Sequence, residues 1–204
     1  MGTKGNTMKW EEDLVRDIRT GRAFDDQDAP YRMVSSPGEV TECNRAALTE
    51  RFLRVRDKAT AILEIGICRN QEDSHTFCFL NNKKPETIYV GIDIDDKTFL
   101  NNKEKNIHTI KGTSSNVLEN MEVCKSLGVE KFDFIFIDGL HSINQVLIDW
   151  EYSNWLADDG IIGFHDVTAH PGPAMFIEAL NKDRWNVEEN VCTGDYGIGF
   201  AWKK

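Results

Sequence analysis

Two aspartates and two histidines carry the chemistry that this sequence offers most clearly. Asp138 and His141 stand in the stretch FIDGLH, and His165 and Asp166 stand in GFHD. Each aspartate follows a short apolar run, so both carboxylates are expected to converge in one cleft if those runs are neighbouring strands. Two carboxylates beside a histidine suit Mg²⁺ or another hard divalent cation. His141 is a candidate general base because imidazole titrates near neutral pH.

The elements that would position these residues alternate between strands and helices. Five apolar runs predict strands, and three of the segments between them have a helical pattern. Such alternation indicates a parallel sheet covered on both faces, with ligands bound beyond the carboxyl ends of its strands. The predicted strands are 61–67, 87–93, 106–110, 132–138 and 160–166, and the predicted helices are 74–82, 114–127 and 141–157.

The C-terminal part of the chain departs from this alternation. A predicted helix at 173–182 leads into RWNVEENV and then YGIGFAW, which the turn-like CTGD joins. Two adjacent strands with a short link indicate an antiparallel hairpin. We therefore predict an α/β fold, a three-layer sandwich around a seven-stranded, mostly parallel sheet that ends in a C-terminal antiparallel hairpin.

The N-terminal part lacks the alternation as well. Residues 1–40 look irregular apart from a short amphipathic helix at 8–20. The next helix is expected to begin at Ser35 or Ser36, with a proline in its first turn, and to run to about residue 57. We predict that residues 1–40 form an N-terminal cap or oligomer-contact segment, with a homo-oligomer as one outcome, and that residues 41–204 form the main domain.

Length and charge limit the classes of protein to which the chain can belong. Its 204 residues suffice for one α/β domain, and 24 basic against 34 acidic residues give a net charge of −10. An acidic surface repels phosphate backbones, so nucleic acid is not an expected partner. No apolar run reaches the ~20 residues of a membrane span, and the N-terminus has no apolar stretch like that of a secretion signal. These features predict a cytoplasmic protein without a membrane partner.

The cysteines favour the same compartment. Their number is odd and none forms a Cys-x-x-Cys pair, so neither a disulfide framework nor a cysteine zinc site is expected. Each is expected to be a small buried hydrophobic residue. The five cysteines are Cys43, Cys68, Cys78, Cys124 and Cys192.

The series of strand ends resembles that of class I S-adenosylmethionine-dependent methyltransferases over about residues 40–204. The most specific part is FIDGLHSINQVLIDWEYSNWLADDGIIGFHDV. It is similar to the branch that holds small-molecule O-methyltransferases, including macrolide-sugar methyltransferases and cephalosporin-hydroxylase-like proteins. The resemblance implies a Rossmann-like fold, S-adenosylmethionine as the cofactor and a small hydroxylated acceptor.

The resemblance also implies cofactor contacts at the strand ends. Gly66 would let the backbone approach the cofactor, Glu64 would face its ammonium group, and Asp93 would accept hydrogen bonds from the ribose hydroxyls. Asn70 replaces the second glycine of the family's first loop, and asparagine tolerates a left-handed backbone well. Two serines after the third strand match positions at the adenine edge. The predicted contacts are Glu64, Gly66, Cys68, Asn70, Ser74, Asp93, Ile94, Ser114, Ser115 and Asp138.

Catalytic and metal-binding roles follow from the same resemblance. In the sugar methyltransferases, acids at the positions of Asp138 and Asp166 bind the metal, and a histidine at the position of His141 is the base. His165 stands where those enzymes often carry another acid, and the predicted metal ligands are therefore Asp138, His165 and Asp166. The other histidines, His75, His108 and His170, are expected on the surface or in loops, with His170 near the presumed cleft.

Three alternatives remain open. A nicotinamide-dependent enzyme is disfavoured because Gly-x-Gly-x-x-Gly is absent. A non-catalytic binding protein and a hydroxylase-like enzyme could use the same scaffold. Amino-directed methyltransferases often carry Asn/Asp-Pro-Pro-aromatic after the fourth strand, where this chain reads IDGLH. We therefore predict methyl transfer to the hydroxyl of a small molecule such as a sugar or secondary metabolite, with a divalent metal assisting.

Overall fold

The computed structural model of the chain describes residues 10–19, 22–26, 41–67, 74–192 and 195–204. Seven strands form one sheet. They are β1 (Ala61–Ile65), β2 (Ile88–Asp93), β3 (Ile107–Lys111), β4 (Phe132–Ile137), β5 (Leu156–His165), β6 (Trp185–Glu188) and β7 (Ile198–Lys203). Their order across the sheet is β3-β2-β1-β4-β5-β7-β6.

The strand pairing confirms the predicted fold class. β1 to β5 pair in parallel, whereas β7 runs antiparallel to both β5 and β6. From β1 the chain moves outward to β3 and then returns to β4 on the other side of β1. The carboxyl ends of β1 and β4 therefore form the topological switch point, where open α/β sheets bind ligands.

Helices cover both faces of the sheet. Phe52 and Phe79 belong to a buried cluster on one face, and Met121, Val146 and Phe176 belong to a second cluster on the other. These two clusters confirm the three-layer arrangement. None of the helices in the described ranges has the length and apolar character needed to cross a bilayer. The α-helices are α1 (Trp10–Asp13), α2 (Glu42–Arg56), α3 (His75–Leu80), α4 (Val117–Ser126), α5 (Ile143–Asp149) and α6 (Pro171–Ala179).

Several predicted boundaries were wrong. α2 begins at Glu42 rather than at Ser35 or Ser36, because the Thr41 hydroxyl accepts the Asn44 N–H and caps the helix there. The helix predicted at 141–157 ends at Asp149 and continues as a 3₁₀ turn, and β5 starts at Leu156. Within the described part of 8–20, only Trp10–Asp13 is α-helical.

The described part of the N-terminal segment packs on the core at the edge of the sheet where β6 begins. Asp13 is fully buried, and its carboxylate accepts hydrogen bonds from the indole N–H groups of Trp150 (2.9 Å) and Trp185 (3.0 Å). Ile18 lies in the same cluster as the helices of that face. The predicted cap or oligomer-contact role stays a prediction for residues 1–9, 20–21 and 27–40, which lie outside the described residues.

A disulfide joins Cys43 at the start of α2 to Cys192 in the loop between β6 and β7. The expectation of no disulfide was therefore wrong for this pair. The two cysteines are 149 residues apart in sequence, and only the fold brings the start of α2 next to the C-terminal hairpin. Cys78 and Cys124 are free and buried, as predicted, and Cys68 lies outside the described residues.

Candidate active site

Asp138 and Asp166 meet in a network of alternating carboxylates and imidazoles at the carboxyl edge of the sheet. Asp138 follows β4, and its Oδ2 lies 3.0 Å from His75 Nδ1 while its Oδ1 lies 3.1 Å from His165 Nδ1. Asp166 follows β5, with Oδ1 3.2 Å from His165 Nδ1 and Oδ2 2.7 Å from His141 Nε2. The structure thus brings the predicted base and all three predicted metal ligands into one continuous site.

His165 acts as the positive centre of this network. Burial opposes its charge, but the adjacent carboxylates of Asp166 and Asp138 raise its pKa well above the usual value. Burial likewise favours neutral Asp138, yet the charge and hydrogen bond of His165 lower the pKa of Asp138 to about 2. The pKa of Asp166 is lowered for the same reason, with His141 contributing a hydrogen bond. Two carboxylates therefore share one buried imidazolium.

Backbone geometry at the end of β5 aims the Asp166 side chain into the site. Asp166 has φ +62°, a left-handed conformation that aspartate adopts more readily than most residues. The carbonyl of Asp166 accepts the N–H of His170 at 3.2 Å, which closes the turn that follows β5. Unusual backbone conformations of this kind cluster at functional sites.

Sequence reasoning missed two side chains of the network, and it placed a third near the cleft without giving it a role. His75 was expected on the surface or in a loop, but it is 2% exposed. His170 lies in a loop, as expected, and its ring stacks on that of His141 with centroids 4.0 Å apart. Asn44 on α2 places its amide nitrogen 3.2 Å from His165 Nε2. The available signal was position, because His75 opens the helix after β1 and His170 lies four residues beyond Asp166.

Residues at the carboxyl ends of β1 and β2 form the predicted cofactor side. Asp93 accepts the backbone N–H groups of Ile67 and Asp95, each at 2.8 Å, on its two oxygens. Gly66 has φ +81°, and a Cβ there would lie 2.1 Å from the carbonyl oxygen of Asp138. Close approach to the protein's own backbone, as well as to any ligand, thus requires glycine at position 66.

Glu64 lies deeper in the sheet than the sequence indicated. It is 1% exposed, and its carboxyl oxygens accept the hydroxyl groups of Tyr89 and Thr76. Burial raises the pKa of Glu64 to about 8, although these two hydrogen bonds act in the opposite direction. The structure therefore gives this carboxyl group two partners inside the protein.

The two serines after β3 belong to a polar cluster around Gln145. Ser115 donates to Gln145 Oε1 at 3.1 Å, and Gln145 Nε2 donates to Ser114 Oγ at 3.0 Å and to Asp149 Oδ1 at 2.9 Å. Burial raises the pKa of Asp149 to about 7, against its hydrogen bonds with Ser114 and Gln145. Gln145 and Asp149 were not in the predicted site, and their approach to the serines depends on how α5 packs beside β4.

The other predicted cofactor residues lie around these groups. Ile94 is 69% exposed directly after Asp93. Ser74 is buried at the start of α3. Cys68 and Asn70 lie outside the described residues.

Two groups of side chains among the described residues have donor atoms close enough to share a metal ion, within 4.8 Å of one another. They are His75–Asp138–His165 and His141–Asp166–His170, so each offers two imidazoles and one carboxylate. Mg²⁺ requires oxygen ligands in near-octahedral geometry. Here the nitrogen of His165 lies between the two carboxylates, so the donor set does not fit Mg²⁺ and favours another divalent cation.

Comparisons with known proteins agree with this architecture. The family model described as a methyltransferase domain matches residues 58–167. No curated protein matches the chain. An O-methyltransferase from Bacillus cereus in complex with SAH has 18% identity and a TM-score of 0.60, with 83% of this chain and 84% of that chain covered.

Two further solved structures come from biosynthetic pathways. The MycE methyltransferase of mycinamycin biosynthesis, in complex with Mg and SAH, has 15% identity and a TM-score of 0.58, with 78% of this chain and 49% of that chain covered. The chain therefore spans about half the length of that protein. The calicheamicin methyltransferase CalS11 has 11% identity and a TM-score of 0.57, with 79% of this chain and 80% of that chain covered. At these identities the likeness shows the fold.

Proposed function

The chain belongs to the methyltransferase-domain family, and from this membership we propose that it transfers a methyl group from S-adenosylmethionine to a hydroxyl group of a small molecule. The observation that carries the proposal is the pair of His141 and Asp166, 2.7 Å apart at the carboxyl edge of the sheet. Relatives of the same fold carry SAH, and one MycE structure also holds mycinamycin VI. A sugar or a secondary metabolite is the proposed acceptor class.

The cofactor fits the residues at the end of β2. The carboxylate of Asp93 is held by two backbone N–H groups, and its remaining lone pairs can accept ribose hydroxyls. Directly beside it, the exposed side chain of Ile94 provides an apolar surface for a purine ring. A fixed acceptor next to an exposed apolar side chain matches the two halves of an adenosine.

Methyl transfer requires little chemistry from the protein. S-adenosylmethionine, when bound, supplies an activated methyl group on a sulfonium. The acceptor hydroxyl must be aligned with this group and must lose one proton. With its Nε2–H donated to Asp166, His141 keeps a lone pair on Nδ1 that can take the proton, and the Asp166 carboxylate stabilises the resulting imidazolium.

Calorimetric titration with S-adenosylhomocysteine tests the cofactor. We expect micromolar binding to the wild type and an affinity about 10–100-fold lower for Asp93→Asn, because a hydrogen bond to a charged group is worth about 1.5–3 kcal/mol. Asp183→Asn is the matched control, since Asp183 precedes β6 at the opposite edge of the sheet. Absence of binding to the wild type contradicts the proposal.

Turnover with a panel of hydroxylated acceptors tests the base. His141→Gln should lower the rate of methyl transfer about 10²–10⁴-fold with unchanged affinity for S-adenosylhomocysteine. His108→Gln, in β3, should keep the wild-type rate. Full activity of His141→Gln would exclude the base role. Cofactor binding with no turnover of any acceptor would favour the non-catalytic alternative.

The predictions on compartment and partners belong to this proposal too. A cytoplasmic location conflicts with the Cys43–Cys192 disulfide, because disulfides persist mainly in oxidising compartments. Counting the free thiols of the denatured protein before reduction therefore tests the cytoplasmic prediction. Nucleic-acid binding is not expected, and filter binding at low salt tests that prediction. Light scattering tests the predicted homo-oligomer.

A further inference from the structure

The outer of the two His–Asp groups has the composition of a transition-metal site. His141 and Asp166 were predicted from sequence as base and metal ligand, and the structure adds His170 as a second imidazole. Donor atoms of all three residues lie within 4.8 Å of one another. Two ligands of a Zn²⁺-like ion lie about 3–3.5 Å apart, since metal–ligand bonds measure about 2.0–2.2 Å. A separation of up to 4.8 Å is therefore wider than the spacing of ligands around a bound ion, and binding would draw the donor atoms closer together.

The fold holds these three side chains in fixed relative positions. The N–H of Gly172 donates to the carbonyl of His141 at 2.8 Å, and a Cβ on Gly172 would lie 2.4 Å from that oxygen. The start of α6 thus rests directly on the backbone of His141, and this places His170 over the His141 ring. Asp166 is held near His170 because its backbone carbonyl accepts the N–H of His170 in the turn after β5. Pre-organised ligands of this kind are what a metal site requires.

Asp166 also has bonding capacity that the protein does not use. Its side chain is 5% exposed, and Oδ1 is a buried oxygen without a hydrogen bond. Its charged partner is His165 Nδ1, 3.2 Å away, which also lies 3.1 Å from Asp138 Oδ1. A buried carboxylate oxygen that accepts no hydrogen bond keeps its lone pairs available to a ligand.

We propose that His141, Asp166 and His170 bind a divalent transition metal of the class that prefers imidazole, such as Zn²⁺ or Fe²⁺, in preference to Mg²⁺. Two histidines and one carboxylate with open positions are typical of such ions, whereas Mg²⁺ selects oxygen ligands. His141 and His170 are half-buried, so solvent and small ligands can reach this group of side chains. The inference rests on the proposed function and changes one role in it: His141 would hold the ion together with Asp166 and His170, and the ion would supply the Lewis acidity that lowers the pKa of the acceptor hydroxyl.

Metal titrations of the full chain test the site without any acceptor. Calorimetry with Zn²⁺, Co²⁺ and Mg²⁺, together with the visible absorption of bound Co²⁺, should show one equivalent of Zn²⁺ or Co²⁺ bound far more tightly than Mg²⁺. His170→Ala should weaken Zn²⁺ binding by more than the roughly 10–100-fold lost on removing an outer-shell partner of a metal ligand. His108→Ala is the matched control and should bind as the wild type does.

Three results would overturn the inference: equal affinity for Mg²⁺ and Zn²⁺, no binding to the wild type, or wild-type binding by His170→Ala. Loss of binding in His75→Ala but not in His170→Ala would place the ion in the inner group and would also overturn it. S-adenosylhomocysteine titrations on the same samples separate the two proposals. Zn²⁺ binding without cofactor binding supports the metal site and contradicts the proposed function, and the reverse result does the opposite.

Discussion

At the scale of single residues, burial and two neighbouring hydroxyl groups decide the pKa and the hydrogen bonds of the Glu64 carboxyl group. Its position before Gly66 indicated a contact with a cofactor, but its oxygens accept the hydroxyls of Tyr89 and Thr76 inside the sheet. Burial raises its pKa from 4.5 to about 8. Between these two pH values the folded protein holds a proton that the unfolded chain has released. The free energy of unfolding therefore falls as the pH rises through this window.

Glu64→Gln should remove this dependence, because glutamine does not ionise. The free energy of unfolding of the variant minus that of the wild type should therefore increase from pH 6 to pH 8.5. The increase should be at most about 1.4 kcal/mol for each pH unit. Urea denaturation at both pH values measures the difference. Glu86→Gln, at an exposed position just before β2, is the control and should follow the wild type. An identical pH slope for Glu64→Gln and the wild type would show that Glu64 ionises normally.

At the scale of elements, the beginning of α2 connects the C-terminal hairpin to the candidate active site. Cys43 is bonded to Cys192, and the Thr41 hydroxyl donates to Asp195 at 2.7 Å. One residue further along the same helix, Asn44 contacts His165. The disulfide thus anchors the helix end that contacts the central imidazole of the site.

Reduction of this disulfide should lower the free energy of unfolding by roughly 3–5 kcal/mol, since it closes a long loop in the unfolded chain. Guanidinium denaturation with and without reductant measures the effect. Cys43→Ser should be as unstable as the reduced wild type and insensitive to reductant. Titration of thiols in denaturant should find at most three of the five cysteines free before reduction. Five free thiols would refute the disulfide and restore the cytoplasmic prediction.

At the scale of the whole molecule, the N-terminal segment stabilises the domain from the edge opposite the active site. Asp13 accepts hydrogen bonds from Trp150 and Trp185, and its backbone carbonyl accepts the N–H of Asn181 at 2.7 Å. Trp150 follows α5 and Asn181 follows α6, so Asp13 contacts the ends of two helices, one through its carboxylate and the other through its backbone carbonyl.

Asp13→Ala should therefore lower the stability of the fold without changing the affinity for S-adenosylhomocysteine. It leaves two buried indole N–H groups unpaired, at about 1–3 kcal/mol each, and should lower the melting temperature by roughly 5–15 °C for a domain of this size. The affinity for S-adenosylhomocysteine at 20 °C should not change. Asp17→Ala, at an exposed position, should melt like the wild type. Loss of cofactor binding in folded Asp13→Ala would show that the two edges of the sheet are coupled.

The strands and the main acidic positions of the site were predictable from local patterns. Buried parallel strands consist of apolar runs, and the ends of these runs alone located Asp93, Asp138 and Asp166 at the carboxyl edge of the sheet. Helix boundaries were predicted less well, since Thr41 caps α2 while Ser35, Ser36 and Pro37 offered an earlier start in the sequence.

The sequence by itself determined the layered α/β fold and the edge of the sheet that holds the candidate site, because hydrophobic periodicity and strand ends are local properties. The family was indicated separately, by the resemblance of the strand-end residues to those of known methyltransferases. Only the tertiary structure placed His75 against Asp138 and stacked His170 on His141. It also joined Cys43 to Cys192 and gave Glu64 the hydroxyl groups of Tyr89 and Thr76 as partners. Those contacts depend on how helices pack across the sheet and on which side chains the packing leaves without water. The spacing of residues along the chain specifies neither the helix packing nor the burial of these side chains. The number of imidazole groups in the site was therefore apparent only from the tertiary structure.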